Sequence, residues 1–240
     1  MILSHISLEN VLFIDIETVP QYANYADVPE PMRVLWDKKS HSIVRNAEEE
    51  TPESIYQRAG IYAEFGRIVC ISVGCIVKKK DESWFAVKSY ASHDERQLLQ
   101  DFGQMLTDFG QRRGASLCAH NGKEFDYPYI ARRMLINGVE IPELLNIAGK
   151  KPWEVQLLDT MELWKFGDYK SYTSLNLLTY VFGIPSPKDD IDGSQVADCY
   201  YRGELERIAV YCEKDVLAIA QLMLRFRNQP LIAPEHVERR

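Results

Sequence analysis

Three short stretches of the chain carry acidic residues at spacings that could gather them around a divalent cation. The first is Asp15-Ile16-Glu17, at the end of the apolar run VLFIDI from Val11 to Ile16. In an extended strand residues two apart point the same way, so Asp15 and Glu17 share one face while Ile14 and Ile16 pack on the other. Neighbouring carboxylates repel, and a divalent cation or a shared proton compensates them most readily. The second stretch, HNGKEFDYP, ends a strand at His120, turns through Asn121 and Gly122, and sets Asp126 in the first turn of a helix, where the macrodipole favours its charge. The third is Tyr211-Cys212-Glu213-Lys214-Asp215: four residues apart on a helix, Tyr211 and Asp215 stand on one side, and Glu213 and Lys214 point elsewhere. Each stretch has a plainer reading alone. A D-x-E triplet also marks a solvated strand end, Asp126 also serves as a helix-start residue and Asn121 as a turn residue, and Tyr211 also fits a core-edge tyrosine bonded to Asp215.

Elements able to position these groups can be read from the hydrophobic pattern. Val11 to Ile16 reads as a buried strand, and Arg67 to Val77 and Trp84 to Tyr90 read as a hairpin joined by the charged turn KKKDES. Ser92 is the expected N-cap of a helix that spaces Leu98, Leu99, Phe102, Met105, Leu106 and Phe109 along one face. SLCAH, from Ser116 to His120, gives another short strand, and Phe125 to Leu135 a helix with Pro128 near its first turn, ended by Asn137-Gly138. Leu157 to Asp159 is read as a fifth strand, followed by a helical pattern from Ser174 to Phe182 that Gly183 and Pro185 stop. A long amphipathic helix spans about Glu204 to Phe226, with Leu205, Ile208, Cys212, Val216, Ile219 and Met223 in one stripe. The expectation is an α/β fold with a mixed five-stranded sheet flanked by helices. Residues from about 20 to 60 form an insertion between the first two strands, with a helical pattern only around Pro52 to Ala63, and residues 184–194 form a polar loop.

Composition sets limits. With 240 residues, of which 46% are hydrophobic, the chain is read as one domain over 1–240 with a sizeable core. No apolar run reaches the roughly 20 residues of a bilayer span and the start lacks a signal-peptide pattern, so a soluble cytoplasmic protein is expected. The five cysteines show no CxxC spacing and read as buried, reduced thiols. The net charge of −7 runs against broad contact with phosphates, although bound cations would offset a carboxylate site locally.

Taken in order, D-x-E, N-x-x-x-F-D and Y-x-x-x-D resemble the three motifs of the DEDD exonuclease superfamily of RNase H-like fold. FIDIET, HNGKEFDYPYI and YCEKD are similar to the DEDDy-type exonuclease domain of family-B DNA polymerases and to the stand-alone exonucleases related to it. The resemblance implies a 3′-5′ exonuclease acting on nucleic acid with a 3′ end, single-stranded DNA first, with two Mg²⁺ or Mn²⁺ ions. In the implied scheme Asp15 bridges both ions, Glu17 and Asp215 complete one, Asp126 holds the other, and Tyr211 orients the attacking water. Val210 stands where the sister subfamily carries His, which fits the tyrosine version. Asn121 and Phe125 match positions that hold the terminal nucleotide. Lys170 resembles a segment near substrate, but a solvated lysine is the preferred reading. An accompanying polymerase module, and with it proofreading in cis, is not expected. The alternatives are an exoribonuclease of the same fold, an inert nucleic-acid-binding or assembly module, and, least of all, a carbohydrate- or phosphate-ester hydrolase using a carboxylate pair.

Overall fold

The structure is a computed structural model that describes residues 5–44, 50–80, 82–151, 154–155, 157–168, 170, 172–185 and 190–240. Asp81 in the expected hairpin turn, part of the insertion, part of the loop at 184–194 and the first four residues lie outside the described residues.

At the centre runs β1 (Val11–Pro20), whose two faces feed two different cores. Leu12, Ile14 and Ile16 pack with helices α2 (Glu95–Gly110) and α3 (Asp126–Asn137), against side chains such as Phe102, Leu106 and Ile130. Val11 and Phe13 point the other way, onto Val216, Ile219 and Met223 of α7 (Leu205–Phe226), the longest helix. A strand buried on both faces needs near-continuous apolar sequence, and VLFI meets that requirement until the acids begin.

β1 pairs antiparallel with β2 (Gly66–Lys79), which pairs antiparallel with β3 (Glu82–Ala91) through a turn where Lys80 adopts the left-handed φ of 47°. On its other side β1 pairs in parallel with β4 (Ser116–Ala119), and β4 with β5 (Leu157–Asp159). A sixth strand, β6 (Val237–Arg239), adds in parallel beyond β3, so the order is β5-β4-β1-β2-β3-β6. The sequence pattern gives five of these strands. The sixth is three residues long and half-buried, too short to show an alternation of its own. The β1–β2 register slips between Glu17 and Thr18, a bulge that bends the strand just past its acidic pair.

Several expected boundaries move. Asp94, not Ser92, is the N-cap of α2: its carboxylate accepts from the Gln97 amide at 3.1 Å, and the Ser92 hydroxyl accepts from the Asp94 amide at 2.9 Å. The insertion contains α1 (Glu30–Ser40), which its polar sequence conceals, while the stretch expected to be helical yields only a short 3₁₀ helix at Tyr56–Ile61. Trp36 explains both. It is fully buried among Val28, Ile55, Tyr56 and Ala59, donates its indole N–H to the Pro52 carbonyl at 2.8 Å, and gives the insertion a small core of its own. Two further short helices, α4 (Thr160–Lys165) and α6 (Val196–Tyr201), flank α5 (Leu175–Val181), which Ser174 caps and Gly183, at φ 62°, follows. No helix among the described residues is long and apolar enough to cross a membrane.

A buried ion pair fastens the insertion and the helical layer to the sheet. Glu95 accepts from Arg133 Nε at 2.8 Å and also from the Ile68 amide at 2.7 Å, while Arg133 donates to the Ala63 carbonyl at 2.8 Å. Both side chains are 5–6% exposed, so removing one partner leaves a desolvated charge. Glu95→Gln is expected to lower the unfolding free energy by about 3–5 kcal/mol in urea titrations. A loss below about 1 kcal/mol would mean that the pair behaves like one on the surface.

Candidate metal centre

The acidic residues read from sequence converge where β1 outlasts β4. The β1–β4 ladder stops at Phe13 and Cys118, and Asp15 and Glu17 follow immediately on β1. Asp126 opens α3 beside them, with its carboxylate accepting from the Ile16 amide beyond the end of that ladder and from its own amide. Tyr211 and Asp215 descend from α7 on the same side, hydrogen-bonded to each other. Glu17, Asp126, Tyr211 and Asp215 are all buried, and Asp15 retains some exposure.

Four carboxylates in so small a volume make one another harder to ionise. Desolvation, then the charges of Asp215, Asp126 and Glu17, push Asp15 far above the ordinary carboxylate range. Asp126 is raised to about 7, mainly by desolvation, with Asp159 and Asp215 adding repulsion and its two amide hydrogen bonds opposing it. The Tyr211 phenol is raised as well, by burial and then by Asp215, Glu17 and Asp15, so it remains neutral near physiological pH. Without cations such a cluster must hold protons. With them, it presents hard oxygen donors of the kind that Mg²⁺ and Mn²⁺ take.

Sequence reading gives Cys212 only as a buried thiol. Its donor atom, one oxygen of Asp15 and one of Glu17 lie within 4.8 Å of one another. The thiol donates to the Asp15 backbone oxygen at 3.4 Å and to its carboxylate at 3.6 Å, so it supports the carboxylate from behind. Behind that, Ser72 and Ser89 hydroxyls meet at 2.8 Å, and Ser89 donates to Glu213 at 3.0 Å. Adjacent to Tyr211 in sequence, Cys212 gives no spacing signal of its own, and only the strand-against-helix packing reveals its contact.

The expected nucleotide-holding residues lie at the same edge. Asn121 occupies the left-handed region at φ 63°, and its side-chain Oδ1 is buried without a hydrogen-bond partner among the described residues. An acceptor left so costs about 1–3 kcal/mol, a penalty that a ligand donor would relieve. Gly122 beside it has no room for a side chain, since a Cβ there would lie 2.3 Å from that of Ala119. Phe125 is half-buried, its ring 5.3 Å from that of Tyr129, so part of the face that could meet a base is already packed. Lys170 is exposed, its amide donating to Asp168.

A residue not picked out from sequence holds this turn. Asp159, at the end of β5, accepts from the amides of Asn121 at 3.0 Å and Lys123 at 3.1 Å, and from those of Met161 at 2.9 Å and Glu162 at 3.3 Å in α4. The signal was present in the sequence as an acid followed by Thr at a strand-to-helix junction, a common N-cap pattern. His120 adds a second clamp. Its Nε2 lies 2.9 Å from the Thr173 carbonyl, which can only accept, so Nε2 carries the proton and Nδ1 accepts from the Thr160 hydroxyl at 2.9 Å. Burial lowers its pKa and favours that neutral form.

Residues 61–230 match the family described as "Predicted 3'-5' exonuclease related to the exonuclease domain of PolB". The match takes in Asn121, Asp126, Tyr211 and Asp215 and begins after Asp15 and Glu17, which the β1–β2 register brings alongside the matched part. In fold the chain is similar to the family B DNA polymerase from the hyperthermophilic archaeon Pyrobaculum calidifontis, with a TM-score of 0.50 and 18% identity over 90% of this chain and 24% of the polymerase chain. At that identity the likeness bears on the fold alone, and the chain spans about a quarter of that polymerase.

The electrostatics have a measurable consequence. Carboxyl pKa values raised in the folded state give stability that is present at low pH and lost as pH climbs through them. In EDTA, melting temperature should therefore fall as pH rises from the ordinary carboxylate range to about 7, the value for Asp126. At higher pH Mn²⁺ should restore stability, by about 2.7 kcal/mol at a hundredfold excess over Kd. Asp15→Asn should melt higher than the unmodified protein in EDTA and gain little from Mn²⁺. An equal metal-induced shift in the two proteins would remove Asp15 from the proposed ion-binding set.

Proposed function

Because the chain belongs to the family of predicted 3′-5′ exonucleases related to the exonuclease domain of PolB, we propose that it is a metal-dependent 3′-5′ exonuclease that hydrolyses the terminal phosphodiester of single-stranded DNA. The observation that carries this reading is the crowding of Asp15 by Asp126, Glu17 and Asp215 at the end of β1, with Tyr211 hydrogen-bonded to one of them. Asp15, Glu17, Asp126 and Asp215 would hold two divalent ions, Mg²⁺ or Mn²⁺, which when bound supply charge stabilisation at the phosphodiester oxygens.

The chain's own groups have separable tasks. Tyr211 keeps its proton and donates a hydrogen bond to Asp215, which leaves the phenol oxygen able to accept from a water and fix that water's direction. Asn121 presents an amide from a rigid turn to the terminal nucleotide, and the remaining face of Phe125 offers a base an aromatic surface. Cys212 holds the Asp15 carboxylate toward the cleft. Because the terminal linkage must reach buried carboxylates at a strand end, single strands and frayed 3′ ends are better substrates than blunt duplex. We treat the chain as one domain, with the insertion as part of it.

Incubation with strands labelled at the 3′ or the 5′ end, DNA and RNA in competition, with and without Mn²⁺, tests polarity, sugar preference and metal need together. Release of mononucleotides from the 3′ end of single-stranded DNA only when Mn²⁺ is present is the expected result. Faster loss of RNA would reassign the substrate, and no cleavage of either would leave a binding module. Tyr211→Phe should slow hydrolysis severely, yet less than Asp15→Ala, because the tyrosine orients a water while the aspartate is assigned to the ions. Full activity in Tyr211→Phe would take the phenol out of the mechanism.

A further inference from the structure

We infer that Asp159 is a positioning residue for substrate, acting through Asn121: it fixes the turn that presents this side chain to the terminal nucleotide. The inference rests on the nuclease reading given above and adds to it a residue far from the acidic motifs.

Helix capping accounts for only half of what Asp159 does. The amides of Met161 and Glu162 belong to the helix that Asp159 begins, and accepting from them is ordinary N-cap behaviour. The amides of Asn121 and Lys123 come from a turn 38 and 36 residues earlier in the chain. At 2% exposure, with four backbone donors on its two oxygens, the carboxylate acts as a rivet between β5 and the turn. Asparagine in its place would keep one acceptor oxygen and turn an N–H₂ group toward amides that themselves donate.

The turn needs such a rivet. Asn121 is held in a left-handed backbone conformation, which L-residues adopt at a cost, and Gly122 lies against Ala119 with no space for a Cβ. Held there, the Asn121 side chain keeps a buried oxygen without a partner among the described residues, an arrangement that a relaxed turn would abandon by rotating the amide to solvent. The next residue, Thr160 at the start of α4, contributes too: its hydroxyl meets His120 Nδ1, and His120 ties in turn to the Thr173 carbonyl. The β5–α4 junction thus braces the turn at Asn121 and Lys123 and at His120 just before them.

The test is a double-mutant cycle on the full chain. Binding of a fluorescent oligodeoxynucleotide with a free 3′ hydroxyl is read by anisotropy in Ca²⁺, turnover in Mn²⁺, and metal binding by the Mn²⁺-induced melting shift. Asp159→Asn and Asn121→Ala should each weaken strand binding and raise KM about tenfold, with a smaller change in kcat and the Mn²⁺ shift retained; the double variant should be no weaker than either single one, because both remove the same contact. Losses that multiply in the double variant, or a fall in kcat with unchanged binding, would overturn the inference. If Asp159→Asn does not fold, Asp159→Ser, which keeps a helix-capping oxygen for Met161 and Glu162 and gives up the second oxygen that Lys123 uses, replaces it in the cycle with the same criterion. Strand binding that depends on Asp159 and Asn121 without any cleavage would defeat the nuclease reading and uphold the positioning role. Cleavage by a Asp159→Asn protein that binds like the unmodified one would do the reverse.

Discussion

Two strands of unequal length flank β1, and much of the molecule follows from that inequality. β2 accompanies β1 to Pro20, whereas β4 leaves it after Phe13. Every backbone amide beyond that point on the β4 side needs another partner if it is to stay out of water. Asp126 answers for Ile16, and to do so it must sit at the very start of α3. The carboxyl ends of parallel strands beside a change of direction are where open α/β sheets bind ligands. Here that place lies between the β1–β4 and β1–β2 pairs. The crowding of negative charge is thus a product of sheet geometry.

The apolar side of β1 makes the crowding hard to escape. Leu12, Ile14 and Ile16 are locked into the core under α2 and α3, so the strand cannot rotate to spread its acids without exposing them. From the opposite side α7 sets Cys212 against Asp15 and, one turn further on, Val216 into the second core. Asp15 is therefore held by packing on both flanks.

Much of this was legible in the sequence because it depends on local period. The five main strands, the αL glycine after α3 and the stripe on α7 all announce themselves through alternation, 3.6-residue spacing or a breaker. The acidic residues stand out by order and spacing, and the structure brings all four together. What escaped depends on contacts between distant segments. α1 looks polar because Trp36 is its one buried hydrophobic side chain and Ser40 the other buried residue. Asp159 reads as a strand end because two of its four partners lie in another element. Cys212 shares a helix face with apolar neighbours, so its thiol could not be told from simple packing. β6 is too short to carry a pattern, and Val237 to Arg239 reads as strand only once β3 is there to pair with it.

The insertion closes on its own core around Trp36, and it is tied down mainly through carbonyls, Gly60 accepting from Tyr129 and Ala63 from Arg133. Backbone carbonyls are indifferent to the side chains around them. The outer surface of this segment is consequently under little obligation to the two strands it joins, and its charge, length and shape can be rewritten by drift or selection without retuning the acids on β1. A chain built this way can change the surface of one segment, one substitution at a time, with its buried acidic cluster left as it was.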